Sequence, residues 1–597
     1  MLNPLPIDPQ KPTSNRVIRQ SLPTLLAALA VALTSGITAG AQEIQTSISN
    51  EFRYGIGERF EQDVAVRKEY LENLFNTRVY VGDFTLGFRL QVDKPREYGR
   101  DTIGLKEYYA EFKRDGLRVR GGTFYNLIDR GLTFNSFESR PIGFDTQTEG
   151  VRIDYESTLF GSGLFGGVMN YTDLINTARI YTYRIRGASG EIRPIPELGI
   201  GGAYVAASGV PSRTGFTIPF DAYLRQIYLR GDVEGLSSYL SLADKRTQLD
   251  SATRTDNSSG EYGYGMYAML GYNTDLFGIT AEYKNYRFDL VAPDEQTTTA
   301  RETATLPFQN PPTLIPEYDK TLLARNPHAI DNNDEVGFQV ETLVYPAEDL
   351  TMTLLTAAGS RHNAFTAVVD SSSGERVTAF SRAPAPVAFP KINDVGYSPY
   401  WEIYFQSEYQ ASEDLALTFG LQRKDNTIYY EGDGMEIHPH TEQYKATTIL
   451  LESLIGFSSS DNLHAILELQ RVFDSKKVTS GNDSLGVASS DGRFNNALLT
   501  LEYSSSPRWT LSTRLEYTTT DSEERTDADP LVLDPFGKPV KEGRHIWPVI
   551  AGTYRIGSSH TLGLQYGSER GGVVCTGGVC RLINPFTGFR LSLVSKL

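Results

Sequence analysis

Beyond its first forty residues the chain has no run of the eighteen or so apolar residues that a membrane-crossing helix requires. It cannot sit in an inner membrane as helices. Basic residues are in deficit, 57 Lys and Arg against 73 Asp and Glu, for a formal charge of −16. Acidity of this size disfavours nucleic acid and anionic surfaces as partners. Only two cysteines and seven histidines occur in 597 residues. The histidines are scattered: His328, His362, His545 and His560 stand alone, His464 sits at a turn, and His438 and His440 flank a proline. Two histidines with no cysteine and no spaced acid beside them make a poor metal site. A catalytic His close to a Ser or an acid at a rim has few candidates, so no enzyme, metal or cofactor is expected. Also missing is any break in composition, any linker, or any change of period along the chain.

What is present begins with a targeting signal. Arg16 and Arg19 precede an apolar run over 22–33, and Ala39-Gly40-Ala41 follows as a small-x-small cleavage site. This is the pattern of a secretory signal peptide, residues 1–41, exported by the Sec route. Its removal takes away three basic residues and one acidic one, so the mature chain from Gln42 carries −18.

From there the chain repeats one unit about ten times: an alternating strand, a tight polar turn, a second alternating strand and a longer polar loop. Trp401, Ile403, Phe405, Ser407 and Tyr409 alternate with Glu402, Tyr404, Gln406 and Glu408; after a turn, Leu415, Leu417, Phe419 and Leu421 alternate with Ala416, Thr418, Gly420 and Gln422. Period two gives each strand one apolar and one polar face. Short turns are read at 114–116, around 161–163, and at 194–197, 232–235, 273–275, 345–349, 411–414, 458–462, 505–508 and 557–560. Long connections alternate with them at 289–333, 360–399, 425–442, 475–492 and 521–543. Strict short-long alternation is the asymmetry of a transmembrane β-barrel, with short periplasmic turns and long external loops. The expected fold is all-β, an antiparallel up-and-down barrel of the bacterial outer membrane. Counting back from a last strand at 586–597 makes 77–92 an ascending strand and gives 22 strands over 77–597. Residues 42–76 are then either a periplasmic or lumenal segment, or two further strands closing a barrel of 24. Nothing ahead of the first strand is long enough for a separate plug domain.

The faces can be assigned by cost. A basic side chain on the lipid face near the midplane costs about 2–4 kcal/mol. The polar faces, including Arg89, Gln91, Arg152, Asp154, Glu282, Lys284, Gln339, Glu341, Arg514 and Glu516, therefore point into the lumen. Phe84, Leu86, Phe88 and Leu90, Trp509, Leu511, Leu515 and Tyr517, and Leu562, Leu564 and Tyr566 point outward. Arg118 and Arg120 either contribute to a transverse field that sorts solutes or pair across strands with Glu107 and Glu111. Cross-strand pairing is the favoured reading for these four. The segment 126–149 breaks the alternation and is too apolar for a solvated loop, with Leu127, Ile128, Leu132, Phe134, Phe137, Ile142 and Phe144. It is expected to fold back into the lumen, where Arg130, Glu138, Arg140 and Asp145 either form a constriction or pin the loop at the rim.

The stretch 71–155 resembles a known family. Gly-Thr-Phe-Tyr at 122–125, Arg-Gly-Leu at 130–132, Phe137-Glu138, Gly143-Phe144-Asp145 and Gly150-Val151-Arg152 are similar to the amino-terminal part of a group of bacterial envelope proteins known only as a domain of unknown function. The resemblance implies an outer-membrane barrel. It implies no activity and no ligand.

Near the carboxyl end Cys575 and Cys580 frame Thr-Gly-Gly-Val, and in an oxidising compartment a disulfide that orders the loop is the favoured reading over a metal or redox pair. Phe589, Leu591 and Leu593 alternate toward the terminus, as in the strand that the barrel-assembly machinery reads. The expected function is a porin-like channel for passive or selective passage of small solutes, working as a monomer. The alternative is a docking or translocation component whose Pro-rich external loops at 289–333 and 360–399 bind envelope partners.

Overall fold

The computed structural model describes residues 44–61, 64–172, 180–210, 212–213, 216–217, 220–249, 261–288, 306–328, 330–369, 376–381, 387–430, 440–478, 488–520, 545–576 and 579–597. The targeting signal and its cleavage site lie outside the described residues. Twenty-four strands form one antiparallel sheet. Each pairs with its neighbour in the chain, and the last, Phe586–Lys596, pairs back on the first, Ile44–Glu61, with Arg590 opposite Gly55. Closure removes every sheet edge, which a hydrocarbon environment demands because unpaired backbone groups there find no water.

Of the two readings of the amino-terminal segment, the strands hold. Ile44–Glu61 and Val64–Val81 pair along their full length, and twenty-two further strands of the barrel sheet follow from Phe84–Asp93. The expected single strand over 77–92 is wrong. Gly82, at φ 56°, turns the chain there with Asp83, so Val64–Val81 descends and Phe84–Asp93 ascends. A second correction concerns 161–163. Gly161 and Gly163 lie inside Phe160–Thr172; the turn is at 157–159, where Ser157 Oγ donates to Phe160 O at 2.9 Å and accepts from Phe160 N at 3.1 Å. A hydroxyl that closes its own turn does the work that the glycines were expected to do.

At the end where the first strand begins at Ile44 and the last ends at Lys596, the turns from 82–83 to 557–559 span two to four residues. At the other end lie the long connections, including 94–101, 125–147, 288–333 and 361–399. The predicted faces are in register: Arg89 opposes Glu107, Glu111 opposes Arg120, and Arg118 opposes Asp154. On the other face Leu90, Leu417, Phe419, Leu511, Leu515 and Tyr566 are exposed. They form a belt of the kind that contacts lipid. No described helix is long and apolar enough to cross a membrane.

Burial along the strands is graded. In Asp334–Ala347 the four residues at the loop end are buried and the last four exposed. Phe277–Arg287, Leu350–Ser360 and Tyr400–Ser412 show the same gradient. Something fills the loop-end half of the barrel, and the short-turn half opens as a vestibule.

Candidate functional site in the barrel lumen

Two inserted segments fill that half. The first, 125–147, folds inward as its apolar content implied: Leu132, Phe134 and Ile142 are fully buried. Phe134 packs on Phe165 of the wall at 4.8 Å between ring centroids, and Thr133 Oγ1 donates to Gln226 Oε1 at 3.1 Å. The second, 306–333, belongs to the connection 289–333 read from the sequence as external, a binding surface under the docking alternative, and for these residues the external position is corrected. Leu306, Phe308, Leu322 and Leu323 are essentially without exposure. Such side chains cannot stay solvated at a long loop's tip, and the lumen is the nearest apolar shelter.

The segments hold each other. Asn135 Nδ2 donates to Asn310 O and Asn310 Nδ2 to Asn135 O, both at 2.9 Å, and Asn135 N donates to Phe308 O at 2.7 Å. Phe134 stacks on Phe308 at 5.3 Å. Gly131, at φ 88°, lets the chains approach, since a Cβ there would lie 2.8 Å from Asn310 O. The Arg-Gly-Leu motif thus has a structural reason. Gly131→Val should cost about 1–3 kcal/mol through strain and the forced separation. The check is a denaturant titration of the folded gel band, and an unchanged midpoint would remove this role.

From that contact the second segment crosses to the far wall. Tyr318 donates to Glu402, and Lys320 Nζ meets Glu452 at 3.0 Å. A single helical turn, Thr321–Ala324, has its orphan amides satisfied by the wall: Leu322 N and Leu323 N donate to Glu468 Oε2 at 2.6 and 3.2 Å. Arg325 then pairs with Glu516, which Arg570 approaches at 3.2 Å. Where the segment returns to the wall, Lys284 and Glu335 form an ion pair at 2.7 Å, each at most 2% exposed, and Lys284 Nζ also donates to Thr313 O. His328 Nε2 lies 3.5 Å from Glu335 and its ring stacks on Tyr400.

The candidates named from sequence distribute as follows. Glu138 reaches back to Arg89 at 2.8 Å, and Glu107 meets the same guanidinium at 2.5 Å. Arg140 pairs with Glu72 at 2.9 Å and lies 3.6 Å from Asp93. Asp145 takes Lys106 and accepts from Tyr125 OH at 3.0 Å. Arg120 pairs with Glu111 at 3.6 Å and lies over the Tyr109 ring, 3.5 Å from its centroid. The expected partnership of the arginine pair with Glu107 gives way because Arg89 is directly opposite it. Arg118 remains on the lumenal wall opposite Asp154. Arg130 stands apart from the other seven. It is exposed in the lumen, 5.0 Å from the centre of the Tyr239 ring. Its neighbour Asp129 accepts from Gln226 Nε2 at 2.8 Å and from Tyr239, and burial raises its carboxyl above the usual range. Seven of the eight thus line one side of the lumen, and the structure adds a second anchoring set, Lys284, Glu335, Glu402, Glu452, Glu468 and Glu516.

At the rim His362 accepts from Val387 N through Nδ1 at 3.0 Å, and burial lowers its pKa to about 4, so the ring is neutral at pH 7. Cys575 and Cys580 are opposite each other in a hairpin, Gly572–Thr576 with Val579–Ile583. Their side chains, residue His438 and the side chain of His440 lie outside what the structure describes; the backbone of His440 opens the strand His440–Gly456. Among the described residues no group of three or more His, Cys, Asp or Glu could hold a metal ion.

A closed, even-numbered barrel with short turns at one end, long loops at the other and an apolar outer belt is a bacterial outer-membrane protein. Its lumen is partly filled by its own loops. The chain belongs to DUF6029, a family of unknown function whose model matches residues 22–597. No curated protein matches it in sequence. Among solved structures, the siderophore receptor PirA from Pseudomonas aeruginosa aligns over 94% of this chain and 81% of its own, at 6% identity and TM-score 0.42. The P pilus usher PapC translocation pore covers 92% of this chain and 99% of its own, at 8% and 0.37. OccK11 (OpdR) from Pseudomonas aeruginosa covers 69% and 96%, at 12% and 0.32. The functional reading rests on this chain's own lumen.

Proposed function

We propose that the protein is a selective, porin-like channel for small solutes, narrowed at its external end by its own inserted segments. The observation that carries this reading is the graded lumen. Polar, ion-paired walls run the length of the barrel, the short-turn half is open, and the loop-end half is crossed by 125–147 and 306–333. A scaffold that only displayed loops would have no use for Glu341, Glu408 and Glu502, which face inward toward the short-turn end and keep part of their surface exposed. Glu341, Glu408 and Glu502 bias the lumen toward cations, against which Arg118, Arg193, Arg230 and Arg514 stand on the same inward face, three of them beside carboxylates.

The test is single-channel conductance of the mature protein in a planar bilayer under two salt gradients. The expected result is a small, steady, cation-preferring conductance. Anion preference would overturn the selectivity, and complete silence of folded protein would overturn the channel.

Docking remains a second reading on one observation. The segment 387–399 packs over the outer rim, where Tyr283 OH donates to Ala388 O at 2.8 Å, and it exposes Phe389 at 71% together with Ile392 and Val395. Under that reading, removing 387–399 abolishes partner capture and leaves conductance intact.

A further inference from the structure

We propose that the outer wall carries a ledge that binds the phosphate groups of lipids in the external leaflet. The ledge lies on four consecutive strands, Leu415–Tyr430, His440–Gly456, Asp461–Val478 and Ala488–Ser505. Their outward residues fall into rows across the sheet. The three rows nearest the short turns are Leu417, Ser453, Ala465, Leu501; then Phe419, Leu451, Leu467, Leu499; then Leu421, Ile449, Leu469, Ala497. All are apolar or small, and most are well exposed, as lipid contact requires.

The next two rows change character at once. The first reads Arg423, Thr447, Arg471, Asn495, and the second Asp425, Lys445, Phe473, Arg493. Four cations stand against one acid. Arg423, Arg471 and Arg493 are exposed. Among the described residues only Lys445 has a carboxylate partner, Asp425 at 3.4 Å. Arg423 Nη1 donates to Thr447 Oγ1 at 2.8 Å, and Arg493 lies over the Phe473 ring at 5.7 Å. Both contacts steady a guanidinium without neutralising it.

Position decides what this surface meets. A cation on the lipid face costs about 2–4 kcal/mol at the midplane and little near the interface, so the sharp change of row marks where headgroups begin. Strands two apart are about 10 Å from each other and alternate rows about 7 Å, so the four cations cover an area suited to more than one phosphate. Guanidinium forks bind phosphate oxygens in pairs. The chain's net charge of −16 argues against anionic surfaces as a whole, yet on this face the sign is locally reversed. Arg184, Arg186 and Arg225 are also exposed on outward positions toward the loop end of another part of the wall.

The experiment uses the folded mature barrel in nonionic detergent and counts retained lipid by native mass spectrometry. The probes are a bisphosphorylated glucosamine-disaccharide lipid and the same lipid with its phosphates removed. The wild type should retain only the phosphorylated form, with retention falling as salt is raised. Arg423→Gln/Arg471→Gln/Arg493→Gln should weaken it on the order of a hundred-fold, and the corresponding triple Lys variant should recover most of it. Equal retention of the two lipids, salt-independent retention, or a Gln variant that is folded on a gel and binds like wild type would each overturn the proposal. Preferential capture of polyglutamate over the phosphorylated lipid would assign the ledge to an acidic protein instead. If the Gln variant does not fold, the comparison of the two lipids on wild type decides alone.

Discussion

Excising residues 306–328 and joining the flanks with a short Gly-Ser linker should raise single-channel conductance about ten-fold or more, because the wide lumen of a barrel this size is then limited only by the remaining insert. The removed segment is what crosses from Phe134 on one side to Glu468 and Glu516 on the other. The barrel itself should survive, since its strands pair with one another and close without the insert. Folded protein is checked by its heat-modifiable gel migration. A milder version is Phe308→Ser with Leu323→Ser. Each removes a fully buried apolar anchor that contributes about 1.5–3 kcal/mol, so the small steady conductance should become larger and flickering. Unchanged conductance after excision would mean that 306–333 does not limit passage, and the constriction would then belong to 125–147 alone.

The barrel was legible in the sequence because a period of two survives any uncertainty about tertiary contacts. The inward assignments of Arg89, Glu107, Arg120 and Asp154 needed only alternation and the cost of charge in lipid. The lumenal position of 126–149 was legible for a different reason, an excess of Leu, Ile and Phe in a loop. The same signal was present in 306–333, in Leu306, Phe308, Leu314, Leu322 and Leu323. There the prolines drew attention to extension instead, and extension is compatible with a strap lying inside as well as with a loop standing outside. Strand pairs such as Glu111 and Arg120 follow from a hairpin's register. Partners such as Arg140 and Glu72, or Arg325 and Glu516, depend on where a long loop lands, and no local pattern encodes that. The turn at Gly82 and Asp83 is hidden by Val79, Tyr80 and Val81, which are apolar on both faces and so mask the change of outward positions from odd numbers in Val64–Val81 to even numbers in Phe84–Asp93.

Removing one member of the buried pair Lys284 and Glu335 should destabilise the protein more than removing both. Glu335→Ala leaves the Lys284 ammonium, 1% exposed, facing no carboxylate at 2.7 Å, and an uncompensated buried charge costs about 3–5 kcal/mol. The variant also deprives Asp331 N of its acceptor at 2.9 Å and frees His328 from its acidic neighbour. These contacts fasten the return of 306–333 to the wall, so the variant should also show enlarged, unstable conductance. In Lys284→Met/Glu335→Gln no charge remains to be desolvated. The glutamine can still accept from Asp331 N, and the residual cost should be about 1–3 kcal/mol for the Thr313 carbonyl left without its donor. The measurement is guanidinium unfolding of Glu335→Ala, and of the cycle Lys284→Met, Glu335→Gln and the two together, read by the fraction of protein that keeps its folded gel mobility. If Glu335→Ala proves no worse than the double variant, the lysine has found water or another acceptor on losing its partner. The loop-end half of the lumen would then be wetter than its burial implies, and the inserted segments would act as a coarse filter through which small ions pass between the anchors.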